Sequence, residues 1–302
     1  MNNKEKPEIA FLGIGLMGLP MARNLLKQRY SVHAWNRTKA KAEALQEFGA
    51  NVATTLEEIG SADIIITMLE PGPQVEAVIS AALPTLKKGS LVIDMSSTKQ
   101  SEAVELSKKL QIHDIHFMDA PVSGGVIGAE AASLAIMVGG DQTNFDRAKP
   151  VLNAMGRATH VGPVGCGQLA KLCNQLIVGG TLNIVAEALL LAQAGGANPS
   201  AVRDALRGGF AESRILEVHG QRMLDRNFMP GGQVKSQYKD MENILAAAEE
   251  SNVSLPLAQL ITKNYQSLIE SSPLADQSAI LLAVEKMNQG TRLGSSENKL
   301  PS

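Results

Sequence analysis

The sequence predicts an α/β fold in which an N-terminal doubly wound parallel sheet is followed by an all-helical domain. Three observations carry that prediction. Short β-branched runs alternate with helix-patterned stretches up to about residue 164, a G-x-G-x-x-G turn follows the first of those runs, and past that point Leu- and Ala-rich helical patterns replace the strand signals.

The alternation begins with EIAFLG and a helical pattern over 16–28. SVHAWN then precedes 38–48, ADIIITML precedes 73–87 and GSLVIDMS precedes 99–111, and the series ends in HDIHFMDAPV and SLAIMVGG. Strands that alternate with helices in this way bury both faces of a parallel sheet, so residues 1–164 are expected to form a Rossmann-type domain. Residues 165–302 are expected to be helical. Their first stretch, 167–194, would be about 40 Å long at roughly 1.5 Å per residue. Its uncharged centre, Leu172 to Ala186, is apolar all round. Fifteen residues diluted by Gly179, Gly180, Thr181 and Asn183 fall short of the roughly 20 that a membrane span needs. A helix buried on all sides, between domains or subunits, is the expectation, with no membrane partner. Helical patterns follow at 199–207, 213–225, 233–251, 256–270 and 276–289, and GTRLGSSENKLPS reads as a frayed tail.

At 302 residues and 44% hydrophobic content the chain can bury sizeable cores. A net charge of -2 and 3% aromatic residues supply neither the basic field nor the stacking groups of a nucleic-acid binder. Cys166 and Cys173 are expected to stay reduced, and neither pairs with a histidine at ligand spacing, so no metal site is expected. MNNKEKPEIAF carries charges and no long apolar stretch before the first strand. On that basis no secretory signal and a cytoplasmic location are expected.

Gly13, Gly15 and Gly18, with Ile14, Leu16 and Met17 between them, follow a strand and open a helix. The first glycine permits a tight turn, the second lets a pyrophosphate approach the backbone, and the third lets helix and strand pack closely. Free N–H groups at such a helix start face the phosphates. NAD-specific sites place an acidic residue at the end of the second strand, where this chain has Asn36, Arg37 and Thr38. A guanidinium suits a 2′-phosphate, which favours NADP(H) over NAD(H), although a solvated arginine at a strand end is the ordinary alternative.

DAPVSGG, Asp119 to Gly125, ends the fifth strand run, where open α/β sheets place ligands; there a serine hydroxyl and two glycine N–H groups can surround a carboxylate, although a plain turn between strands gives the same pattern. Lys171 and Asn174 lie three apart on the predicted long helix and therefore share a face. A lysine snorkelling to solvent is the ordinary alternative for Lys171. For Lys239 and Asp240 in QYKDMEN the ordinary reading is a solvated helix face.

Taken together, FLGIGLMGLPMARNLLK, DMSST, DAPVSGG, GCGQLAKLCNQ and KSQYKD resemble the β-hydroxyacid dehydrogenase family, in that order and over nearly the whole chain. The resemblance implies that Lys171 is the catalytic lysine with Asn174 as its helper, and that Ser123, Gly124 and Gly125 grip a small carboxylate-bearing substrate. It implies that Lys239 and Asp240 close the site, Lys239 also meeting the cofactor, and that Met68, Leu69 and Ser97 line the cofactor. It further implies a homodimer or homotetramer, with the long helix packed in the dimer. The expected reaction interconverts a small 3-hydroxy acid and its semialdehyde or keto form. Partial desolvation of Lys171 would lower its pKa and suit it to exchange a proton near neutral pH. Gly232, Gln233, Lys235 and Ser236 depart from the larger apolar residues many relatives carry there, which points to a more polar or roomier pocket. Rival readings are an imine reductase of the same architecture, which generally lacks this lysine, a 6-phosphogluconate dehydrogenase, which has a histidine in the lysine motif, and a non-catalytic oligomerisation module.

Overall fold

The structure is a computed structural model that describes residues 6–301. It divides into two compact units, Met1–Lys171 and Leu172–Ser302. The first unit holds strands β1 (Ile9–Leu12), β2 (Val32–Trp35), β3 (Asn51–Val52), β4 (Ile64–Thr67), β5 (Leu91–Asp94), β6 (His116–Asp119), β7 (Val122–Ser123), β8 (Leu134–Gly139) and β9 (Gly156–Gly162). Its helices are α1 (Gly18–Lys27), α2 (Lys39–Glu43), α3 (Gly72–Ala82), α4 (Gln100–Gln111), α5 (Gly125–Glu130) and α6 (Gln142–Asn153).

These strands form one sheet in the order β3-β2-β1-β4-β5-β6-β8-β7, with β9 beside β8. From β3 to β6 every pairing is parallel, as the alternating sequence predicts, but β8 runs antiparallel to β6 and β7, so the sheet as a whole is mixed. Alternate residues of the parallel strands feed two cores. Ile9, Phe11, Ile64, Ile66, Leu91 and Ile93 pack with Met21 and Leu25 of α1 and Phe145 and Val151 of α6. Ala10, Leu12, Ile65 and Val92 pack with Val75 and Ile79 of α3 and Leu106 and Leu110 of α4. Burial on both faces explains why β1, β4 and β5 read as continuous apolar runs. Register then places Trp35, Leu12, Thr67, Asp94 and Asp119 in one row across the carboxyl ends of β2, β1, β4, β5 and β6. The loops that leave this row are where such sheets bind ligands.

Several elements differ from expectation. The pattern at 38–48 divides into α2 and a 3-10 turn at Gln46–Phe48, and the one at 73–87 stops at Ala82 because Pro84 cannot supply the next helical N–H. Helix α6 carries Pro150 in its interior at an exposed position. Strand β9 hides in GRATHVG, whose exposed Arg157, Thr159 and Val161 alternate with more buried positions.

The long helix α7 (Cys166–Ala194) starts in the first unit and continues into the second. The second unit adds α8 (Pro199–Leu206), α9 (Arg214–Leu224), α10 (Val234–Glu250), α11 (Pro256–Gln266) and α12 (Ile280–Met287). Asn198 accepts the N–H groups of Ser200 and Ala201 to start α8, and Ser213 accepts that of Leu216 to start α9. Leu182, Val185 and Leu189 of α7 pack with Met241 and Ile244 of α10, Ile261 and Tyr265 of α11 and Leu281 of α12.

By length and composition α7 is apolar enough to cross a membrane. Within the single chain one stripe of it stays uncovered: Ile177, Ile184 and Leu191 are 68%, 57% and 74% exposed, so burial on all sides would need a second subunit. Their spacing of seven places them in one stripe. The tail is not frayed. The Arg226 guanidinium, buried at 1% exposure, donates to both carboxylate oxygens of Glu285 at 2.7 and 2.8 Å, to Asn298 Oδ1 at 2.6 Å and to the Leu293 carbonyl at 2.8 Å. A buried guanidinium needs all its donors satisfied, and the tail satisfies two of them. Backbone bonds from Lys299 to Arg226 and from Phe228 to Lys299 complete the attachment.

Candidate functional site

Three glycines shape the turn between β1 and α1, each differently. Gly13 has φ +106°, and a Cβ there would lie 2.2 Å from the Met68 carbonyl oxygen. A Cβ on Gly18 would lie 1.9 Å from the Gly13 carbonyl oxygen, so helix and strand meet at a distance only glycine permits. Gly15 is exposed, and beyond its chain neighbours no described heavy atom lies within 4 Å of where its Cβ would stand. The first turn of α1 has neither an acidic residue nor a side-chain cap. An open backbone at Gly15 beside an uncapped helix start fits a pyrophosphate. Leu16, 83% exposed, and Met17, half-buried, complete the turn.

Asn36 serves the turn rather than solvent: its Oδ1 accepts the Ile14 N–H at 3.0 Å and its Nδ2 donates to the Thr38 carbonyl at 2.9 Å. Arg37 and Thr38 follow at the surface and line a cleft with Trp35, Lys41, Leu69, Gln74 and the acidic Glu70. Lys41 is a second cation in that cleft and was missed in the sequence. Its signal is the spacing in NRTKAK, which places it on the first turn of α2, four residues after Arg37. Two cations around one opening fit an added phosphate group.

Beyond the glycine turn the carboxyl row is tied together by polar contacts. Leu69 N–H donates to Ser96 Oγ at 2.9 Å, and half-buried Met68 donates its N–H to the Leu12 carbonyl. Asp94 is buried and accepts Thr67 Oγ1 at 2.8 Å, the Ser96 N–H at 3.0 Å and Thr98 Oγ1 at 3.4 Å. Burial pushes its carboxyl upward against those bonds. Asp119 is fully buried and accepts the N–H groups of Gly165 at 2.7 Å and Gln168 at 2.8 Å. There too burial outweighs the bonds, and the carboxyl is pushed up to about 6. Gln168, 1% exposed, donates Nε2 to the Ser96 carbonyl at 2.9 Å and accepts the Thr98 N–H on Oε1 at 3.1 Å. Half-buried Ser97 lies between those two bonded residues. Neither Asp94 nor Gln168 was singled out in the sequence, because their partners lie up to 72 residues away.

Ser123 on β7 is half-buried opposite Ala135, and Gly124 and Gly125 are exposed at the start of α5. Lys171, half-buried, is the last residue of the first unit. One helical turn on, half-buried Asn174 donates Nδ2 to Gln175 Oε1 at 2.9 Å. Within the second unit Gln175 Nε2 donates to Asp240 Oδ2 at 2.7 Å, and buried Gln237 donates Nε2 to the Gln175 carbonyl at 3.1 Å. Lys239 is exposed, with Nζ 3.5 Å from Asp240 Oδ1. So α7 and α10 bring Asn174 and Asp240 into one amide network, and the two glutamines that join them went unnoticed in the sequence. Lys235 and Ser236 are exposed, whereas Gln233 precedes α10 and bridges to Asp276. Cys166 and Cys173 are free thiols, and among the described residues no group of three His, Cys, Asp or Glu could hold a metal ion.

Two family models together cover residues 8–284. The NAD binding domain of 6-phosphogluconate dehydrogenase matches 8–166, and the NAD-binding domain of NADP-dependent 3-hydroxyisobutyrate dehydrogenase matches 165–284. The 2-hydroxy-3-oxopropionate reductase of Escherichia coli is 38% identical over 93% of this chain and 98% of its own. A probable 3-hydroxyisobutyrate dehydrogenase-like protein of Arabidopsis thaliana is 34% identical over 93% of this chain and 86% of its own. Among solved structures, Mycobacterium tuberculosis 3-hydroxyisobutyrate dehydrogenase with L-serine superposes with a TM-score of 0.85 at 30% identity, covering 92% of this chain and 99% of that one.

Proposed function

The chain belongs to the β-hydroxyacid dehydrogenase family, and from that premise we propose that it is an NADP(H)-dependent oxidoreductase that interconverts a small 3-hydroxy acid and its semialdehyde. The observation that carries the reading is the half-buried Lys171 on one face of α7 with Asn174, in a chain whose glycine turn is open at Gly15. The E. coli relative's name supports a hydroxy-oxo acid of three carbons as the first substrate to try.

The nucleotide, when bound, supplies the hydride. Gly13 to Gly18 and the start of α1 would hold its pyrophosphate, and Leu69 and Ser97 would flank it further along the row. Arg37 and Lys41 support the preference for NADP(H): the residues directly after β2 include no carboxylate to hold a free ribose hydroxyl pair, and among the described residues Glu70 is the one acid lining the cleft with these two cations. In the reducing direction Lys171 gives a proton from Nζ to the carbonyl oxygen, which becomes the hydroxyl. In the oxidising direction its neutral amine takes that proton back. Asn174, held by Gln175, orients the same oxygen through its carboxamide. Ser123 and the N–H groups of the exposed Gly124 and Gly125 hold the carboxylate. A second copy of the chain covers the stripe of Ile177, Ile184 and Leu191, giving a homodimer or a tetramer built from it. The reducing compartment of the cytoplasm suits its free thiols.

A panel of small 3-hydroxy acids and semialdehydes, followed by NADPH absorbance, tests this reading. A semialdehyde should be reduced with NADPH preferred over NADH by kcat/KM, and Arg37→Ala should remove most of that preference. Equal use of both nucleotides by the parent, or an unchanged ratio in the variant, contradicts the cofactor assignment.

A further inference from the structure

We propose that Gln168 is a positioning residue whose carboxamide locks the Ser96–Thr98 loop to the first turn of the helix that carries Lys171, while the Asp119 carboxylate holds that turn from β6. The inference rests on the reading of Lys171 as the proton donor. A carboxamide offers one acceptor and two donors, and here the Oε1 acceptor takes the Thr98 N–H while Nε2 donates to the Ser96 carbonyl. The side chain thus meets the loop as a neighbouring strand would. Its own N–H is spent on Asp119 Oδ2, whose other oxygen takes the Gly165 N–H, so the helix start is capped by a carboxylate from another strand.

The result is one continuous block. Leu69 at the nucleotide cleft bonds Ser96, Ser96 bonds Gln168, and Gln168 bonds Asp119. Gln168 is 1% exposed, so none of these bonds exchanges readily with water, and a missing partner is left unpaired. Lys171 lies three residues further on, about 4.5 Å along a rigid helix. Any tilt of the first turn therefore moves Nζ, and proton transfer is sensitive to misplacement on the order of 1 Å. The carboxylates facing the block are Asp94 from β5 and Asp119 from β6, both fully or almost fully buried, and Glu102 of α4, which accepts the Lys99 N–H beside Thr98.

Two substitutions separate positioning from bulk. Gln168→Met keeps the length and loses both bonds. It should lower kcat at least tenfold while the KM for substrate moves less than threefold, and in the cofactor-free protein it should speed hydrogen exchange of the Thr98 amide at least tenfold. Gln168→Glu keeps the acceptor for Thr98 but sets an ionised oxygen against the Ser96 carbonyl. Protonation restores a donor, so the ratio of variant to parent kcat should rise as pH is lowered from 8 to 5. Thr98 exchange and kcat within twofold of the parent in Gln168→Met, or a pH-independent ratio in Gln168→Glu, would overturn the proposal. The exchange measurement uses neither cofactor nor substrate, so it decides the clamp even if Lys171 proves not to be the proton donor, a question that Lys171→Ala answers separately.

Discussion

Exchanging a single hydrogen for a methyl group at Gly15 and at Gly18 should have opposite consequences, although the two positions lie three apart in one turn. At Gly18 the new Cβ would stand 1.9 Å from the Gly13 carbonyl oxygen and 3.1 Å from its carbon, about 1.5 Å short of ordinary contact with backbone that cannot rotate away. Helix α1 must lift off β1. Overpacking of that kind costs about 1–3 kcal/mol, which lowers Tm by roughly 2–12 °C in a domain of this size. At Gly15 no described heavy atom beyond its chain neighbours stands within 4 Å of the new Cβ, and the site is exposed, so Gly15→Ala should leave stability within about 0.5 kcal/mol. Its methyl instead occupies the approach of the pyrophosphate. Nucleotide affinity should fall about tenfold to a hundredfold, equivalent to roughly 1.4–2.8 kcal/mol. Thermal unfolding without nucleotide and a fluorescence titration with NADPH read the two effects independently. The reasoning is refuted if Gly15→Ala binds NADPH like the parent, or if Gly18→Ala unfolds at the parent temperature.

Asp119 provides a test by pH. Its carboxyl sits at about 6 in the folded chain against an ordinary 3.8, so the folded state holds the proton more tightly and this group favours folding most below about pH 4. That contribution is lost as pH rises through 4 to 6 and is flat above. Asp119→Asn removes the titration, so parent stability relative to the variant should decline over that interval by up to about 3 kcal/mol, measured by urea unfolding; a difference independent of pH contradicts it. On the exposed face of α7, Ile184→Glu places a charge in the middle of the apolar stripe. Light scattering should find the parent at a multiple of 32.0 kDa and the variant as a single chain, and identical masses would remove the stripe from the assembly.

What the sequence disclosed follows the range of the interactions involved. The glycine turn was legible because its three residues act on neighbours within one strand-turn-helix unit. The parallel strands were legible because two-sided burial leaves continuous apolar runs. The extent of α7 was expected at 167–194 and is observed at Cys166–Ala194, yet composition could not reveal that Ile177, Ile184 and Leu191 stand outward. Strand β9 escaped because an edge strand with polar exposed positions lacks an apolar run, and α6 because Pro150 reads as a breaker. The tail was misjudged for a different reason. Nothing local to GTRLGSSENKLPS says that Arg226 is buried and needs Asn298 and the Leu293 carbonyl. In the same way Gln168 looks like an ordinary helix residue until its partners 70 and 72 positions earlier are brought beside it.

Proton transfer by Lys171 is tested most directly by Lys171→Ala, with steady-state turnover and NADPH affinity measured on the same preparation. A lost general acid should lower kcat by roughly 10²–10⁴ while the Kd for NADPH stays within about twofold. Turnover within a few fold of the parent, with the nucleotide still bound, would mean that the proton reaches the substrate from another group.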